Sequence, residues 1–148
     1  MSKSLTNPSR GQIIHRNRQL ANALMENKRK ATMTMRDDQN GRCCLQVAED
    51  YAISCGLPID RSPKDACEPC AGVGKFFGWD CPNPFLITPN GTTYIASTLN
   101  DGAESQWKNK QWENKGLSHK KIAECILNTY VTTKRPKWSF ELDLDDDT

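Results

Sequence analysis

The chain has 148 residues, 36% of them hydrophobic, and a net charge of +2, which suits one domain with a modest core. No apolar run approaches the roughly 18 residues that cross a bilayer, and residues 1–10 hold no apolar stretch of the signal-peptide kind, so no membrane partner and a cytoplasmic setting are expected. In a reducing compartment the seven cysteines are expected as buried small hydrophobes, metal ligands or reactive thiols, not as disulfides.

Residues 1–36 carry eight basic side chains against Glu26 alone. Within them, Asn7 to about Lys30 reads as an amphipathic helix, with Asn7 as cap and Pro8 at the first helical position. Ile13, Ile14, Leu20, Ala21, Leu24 and Met25 form its apolar stripe, and Arg16, Gln19 and Asn22 are expected to face water. Thr32-Met33-Thr34-Met35 alternates as a short half-buried strand does. Asp37 to Gly41 is a turn. Cys43 to Cys55 reads as a second helix with Cys44, Ala48, Tyr51, Ala52 and Cys55 inward, stopped by Gly56 and Pro58.

From Ile59 to Pro84 the periodicity vanishes in a stretch rich in proline, glycine and cysteine, a length uncommon for a loop unless it works or is stapled. Phe76, Phe77 and Trp79 are expected to tie it to the core. Phe85–Thr88 and Thr92–Ser97 flank Pro89-Asn90-Gly91 and read as a β-hairpin. A third helix opens at Gly116-Leu117-Ser118, with Ile122, Ala123, Ile126, Leu127, Tyr130 and Val131 on its apolar face. The fold class that follows is α+β: three helices, a small antiparallel hairpin sheet and a long Cys/Pro/Gly loop. Residues 1–136 form the domain, and 137–148 read as a mobile acidic tail. Leu20, Leu24, Leu45, Ala48, Ile95, Leu99, Ile122 and Ile126 are the expected core.

Arg42-Cys43-Cys44-Leu45 at a helix start, Leu99-Asn100-Asp101, and Ile122-Ala123 in the last helix occur in an order that resembles a diffuse family of small uncharacterised phage and prophage proteins. The likeness covers about two-thirds of the chain. Gln46 stands where that family has glycine, and Trp107 to Lys115 reads as an insertion. The resemblance implies a phage origin and an α+β fold, and it implies no reaction. Packing and capping suffice to explain Cys43, Cys44, Leu99, Asn100 and Asp101 as a structural motif.

Three chemistries compete for the remaining residues. Cys43 or Cys44 at a helix N-terminus could be a thiolate nucleophile, with His119 as base and Asn100 or Asp101 orienting it. Cys67-Glu68-Pro69-Cys70 is a Cys-x-x-Cys knuckle that, with Cys81 and with Cys55 or a histidine as fourth ligand, could hold zinc. The run Cys67–Gly74 is also similar to one repeat of the zinc-binding region of J-domain chaperones, which have four. Trp107, Lys108, Lys110 and Trp112 interleave aromatics with charge, as single-stranded nucleic-acid binders do. His119, Lys120 and Lys121 crowd the first turn of a helix, where free N–H groups favour anions.

The leading expectation is a non-enzymatic phage accessory protein that binds a host or phage protein or other macromolecule. A zinc-stapled nucleic-acid module and a cysteine hydrolase or transferase are the alternatives. Residues 138–148 hold five acids and no basic residue, so the tail can compete with nucleic acid for the basic N-terminal region. Deleting residues 141–148 should raise affinity for single-stranded nucleic acid and steepen its salt dependence, as read by fluorescence anisotropy across a salt series. An unchanged affinity and slope would remove the internal competition.

Overall fold

The computed structural model describes residues 5–27, 29–31, 34–38, 41–89, 91–102 and 116–132. Residues 32–33, 103–115 and the expected acidic tail lie outside them. The described residues form five α-helices and a two-stranded antiparallel sheet, so the fold is α+β. None of these helices is long and apolar enough to cross a membrane.

Helix α1 spans Arg10–Glu26. It starts later than Asn7 and Pro8 suggest, because Ser9 and Gln12 form a reciprocal capping box: the Ser9 hydroxyl accepts from the Gln12 N–H at 3.2 Å, and the Gln12 side-chain oxygen Oε1 accepts from the Ser9 N–H at 2.8 Å. It ends before Lys30, where the N–H of Asn27 closes the last turn on Ala23 and Leu24. Two side chains depart from the expected stripe. Met25 is exposed and Arg16 is buried. The Arg16 guanidinium donates to the Phe76 carbonyl at 2.9 Å and lies 4.1 Å from the centre of the Phe76 ring. An aromatic face and a backbone acceptor together make burial of that cation tolerable.

The alternation at residues 32–35 produces no strand at Thr34 or Met35. Met35 donates its N–H to Lys64 and accepts from Cys43, one bond to each of two segments, so no ladder propagates. Isolated bridges join Lys30 and Arg36 to Arg42 instead. Helix α2, Cys44–Ser54, follows. Cys44, Ala48 and Ala52 point inward as expected, Tyr51 is half-buried, and Cys55 is an exposed C-cap.

The long irregular stretch contains a helix, α3, Ala71–Phe77. Two glycines hide it from propensity at about 1 kcal/mol each, yet Val73, Phe76 and Phe77 recur at helical spacing and are buried. Gly74 is required: a Cβ there would meet the Cys81 backbone at 2.9 Å. Gly78 ends the helix at φ 75°, with the Ile13 side chain 2.6 Å from where a Cβ would sit. Phe77 stacks on Trp79 at 4.7 Å, and Trp79 faces Tyr130 at 6.2 Å.

Strands β1, Phe85–Ile87, and β2, Thr93–Ile95, pair in the register Phe85↔Ile95, Leu86↔Tyr94, Ile87↔Thr93. The second strand is shorter than expected, since the chain passes directly into helix α4, Ala96–Asp101. Helix α5, His119–Ile126, runs into a π-helical turn, Leu127–Val131. There Thr129 accepts from the Ile87 N–H at 2.8 Å and covers that edge of β1.

Of the expected core, Leu20, Leu24, Leu45, Ala48, Leu99, Ile122 and Ile126 are buried together. Ile95, at the end of its strand, is half-buried. Leu24→Ala and Ile126→Ala should each cost about 2–5 kcal/mol, since each empties a closed site between helices. Urea melts of the two variants check this, and wild-type midpoints would contradict the assigned helix faces.

Candidate functional site

The two sequence marks, Cys43-Cys44 and Leu99-Asn100-Asp101, meet in space. Helix α2 begins with Cys43 as its cap: the Cys43 thiol sulfur accepts from the Gln46 N–H at 3.3 Å. The next exposed donor, the N–H of Cys44, is satisfied from another helix, by the side-chain carbonyl of Asn100 at 3.0 Å. The Asn100 amide nitrogen donates to the Ala31 carbonyl and to the Asp101 carboxylate, both at 2.8 Å. Its backbone carbonyl receives the Lys30 ammonium at 2.8 Å, and the same ammonium reaches the Leu117 carbonyl at 2.9 Å.

This junction walls a cavity of about 240 Å³. Cys43, Cys44, Asn100 and Asp101 line it with Asp65 and Cys67. Asn83 and Ser97, also on its wall, hold each other through two hydrogen bonds of 2.9 and 3.0 Å. The surroundings of Cys43 and Cys44 disfavour their thiolate forms. Burial pushes the Cys43 thiol up to about 11, and the Asp101 and Glu49 carboxylates add to the shift. Cys44 is raised well above the ordinary thiol value, first by burial and then by Cys43 and Asp101. The favourable helix end does not overcome desolvation.

His119 does not complete a catalytic set with them. It is 5% exposed, and neither ring nitrogen has a hydrogen-bond partner. Burial holds its pKa down at about 4 and the Lys30 charge acts in the same direction. The Arg42 backbone lies close enough to favour the charged ring slightly, without hydrogen-bonding geometry. A base in contact with the nucleophile is what thiol catalysis needs.

The candidate zinc ligands Cys55, Cys67, Cys70 and Cys81 are all exposed free thiols. Cys55 caps α2, Cys70 precedes α3, Cys67 borders the cavity, and Cys81 points back to the Asn83 carbonyl at 3.3 Å. Among the described residues no three His, Cys, Asp or Glu side chains are grouped to hold a metal ion. Of the candidate nucleic-acid residues, Trp107, Lys108, Lys110 and Trp112 lie outside the described residues. Lys120 and Lys121 are exposed on the first turn of α5, which Ser118 caps by accepting from the Lys121 N–H at 3.2 Å.

A buried polar network escaped the sequence reading. Gln46 and Glu49 are both fully buried. Glu49 accepts two bonds from the Ser62 N–H at 3.1 Å, one from its hydroxyl at 2.5 Å and one from the Gln46 amide at 2.9 Å. Gln46 in turn accepts from Arg36 at 2.8 Å and donates to Asp50 at 2.8 Å. Gln46 thus links the Arg36 segment to the loop at Ser62.

Fold and junction together define a small α+β protein whose helix ends are clasped by a side-chain amide. No protein-family model matches the chain, and no curated protein or solved structure matches it.

Asn100→Ala should strand two buried backbone groups, the Cys44 N–H and the Ala31 carbonyl, at about 1–3 kcal/mol each. Asn100→Asp retains the acceptor but loses the donor, and sets a second carboxylate beside Asp101. Chemical denaturation should rank wild type above both. Wild-type stability in Asn100→Ala would show that the clasp is dispensable.

Proposed function

We propose that the chain is a non-enzymatic binding protein, a phage-type accessory factor that engages a host or phage macromolecule in the cytoplasm of an infected bacterium. One observation carries the reading: the residues best suited to chemistry are used to build the fold. Cys43 caps α2 through its sulfur, the Cys44 thiol is turned to the Ala96 carbonyl at 3.7 Å, and Asn100 spends its side chain on backbone groups. Functional contacts then fall to the surface. The solvent face of α1 offers a stripe for this purpose, with Arg10, His15, Arg18, Asn22 and the exposed Met25, against Glu26 alone. Charge with an accessible apolar side chain suits recognition of a partner.

Two measurements test the proposal. With a thiol reagent at neutral pH, Cys55, Cys67, Cys70 and Cys81 should label quickly, and Cys43 and Cys44 only on unfolding. Labelling of either of the last two faster than in the unfolded chain would restore the nucleophile. Capture from phage-infected bacteria should then retain a component that rebinds the purified chain, with Arg18→Glu weakening the contact. Failure of every captured component to rebind in purified form would overturn the binding reading.

A further inference from the structure

A two-stranded sheet has two outer edges, and in this chain they are treated differently. The Thr88 N–H bonds to the Thr92 carbonyl and the Ala96 N–H to the Pro84 carbonyl, both at 2.8 Å. With the strand register, these bonds make Leu86 and Tyr94 the pair that bonds across the hairpin. Phe85, Ile87, Thr93 and Ile95 therefore turn their backbone groups outward. On the β1 edge Ile87 is taken: its N–H donates to the Thr129 hydroxyl at 2.8 Å, and its carbonyl accepts from the Asn128 amide at 3.5 Å. On the β2 edge the Thr93 N–H and carbonyl and the Ile95 N–H have no hydrogen-bond partner among the described residues. No third strand pairs there. The Ile95 carbonyl belongs to the start of α4.

An open edge is a template for another extended segment, and proteins generally close it. The neighbouring sheet face says what that segment carries. Phe85 stands directly across from Ile95 and is 62% exposed, one of two large exposed hydrophobic side chains among the described residues. Ile95 is half-buried, whereas Tyr94, on the other face, already packs on the core. The apolar surface still to be covered is thus on the Phe85–Ile95 side. A strand beside β2 continues that face with every second residue, so apolar and polar side chains must alternate along it. Beyond the described residues, Trp138-Ser139-Phe140-Glu141-Leu142-Asp143-Leu144 has this alternation over seven positions. Residues 103–115 lack it: Trp107 and Trp112 are five positions apart, an odd spacing that sends two side chains to opposite faces of any strand.

Reach is sufficient. Thr132 follows the turn whose Thr129 holds β1, and Phe140 lies eight residues further on. Eight extended residues span about 26–29 Å, while a third strand on β2 stands about 10 Å from β1.

We propose that residues 138–144 pair with the outer edge of β2 as a third strand, giving backbone partners to Thr93 and Ile95 and laying their apolar side chains on the Phe85–Ile95 face. The assignment goes beyond the binding reading above and does not depend on it. It gives the acidic tail a second character: its acids fall on the positions that leave the apolar set continuous.

Amide hydrogen exchange on the full chain tests the edge. The Thr93 and Ile95 N–H groups should be protected, although the hairpin itself gives them no partner. In the full-length double variant Phe140→Ser, Leu142→Ser, which changes none of the described residues, both should exchange at least about ten-fold faster, as a locally opened edge does. The Leu86 and Tyr94 amides, bonded within the hairpin, should keep their rates and so show that the variant is folded. A synthetic peptide of residues 137–146 added to the variant should restore protection, and one of the same composition with its apolar residues grouped should not. Unprotected Thr93 and Ile95 in the wild-type chain, or protection that survives the double substitution, would overturn the assignment. So would equal rescue by the grouped peptide. Protection that rises with protein concentration would give the edge to a second copy of the chain and overturn it as well.

Discussion

A helix that begins inside a protein needs acceptors for its first amides, and in this chain the need is met from a distance. The side chain of Asn100, from a different helix, completes the start of α2 and at the same time holds the strand-like segment at Ala31. Because an amide offers both donor and acceptor, one residue can join segments that have opposite requirements. The Lys30 ammonium repeats the logic from the other side, gathering the carbonyls at Asn100 and Leu117. Four parts of the chain are thereby placed relative to one another by two side chains. Asn100 also lines the cavity at Cys43 and Cys44.

The same economy recurs elsewhere. Asn17 donates to the carbonyls of Ile13 and Phe77 and accepts from the Trp79 indole at 2.9 Å. Arg16 one residue earlier clasps Phe76. A chain with only 36% hydrophobic residues cannot close its core with apolar contacts alone, and it uses buried polar side chains to bind irregular backbone to regular elements. Such networks cost much when one member is lost, because the remaining groups stay buried and unpaired.

This explains which features were legible beforehand. Periodicity located α1, α2, α5 and the hairpin, since each has an apolar face that water alone would sort. The same signal misread Arg16, whose burial depends on a ring and a carbonyl sixty residues away in the chain. It missed α3, where glycines needed for close backbone approach masked a helix that tertiary packing holds in place. It set Cys55 inward because a helix stripe does not reveal where the neighbouring elements stop. At the site, Cys43, Cys44, Asn100 and Asp101 were recognised as a group, but only geometry distinguishes a cap from a catalytic set. Gln46 carried no local signal, since its importance comes from what surrounds it.

The junction also bears on how the chain tolerates change. Leu117 donates its N–H to the Leu99 carbonyl at 2.6 Å, and Lys30 ties Asn100 to Leu117, so the end of α4 and the approach to α5 are pinned to each other. When both ends of a connection are fixed by the body of the protein, its length enters stability only through closure entropy, about 0.6 kcal/mol for each doubling. With the two ends pinned, the stability of the core is only weakly sensitive to the number of residues between them.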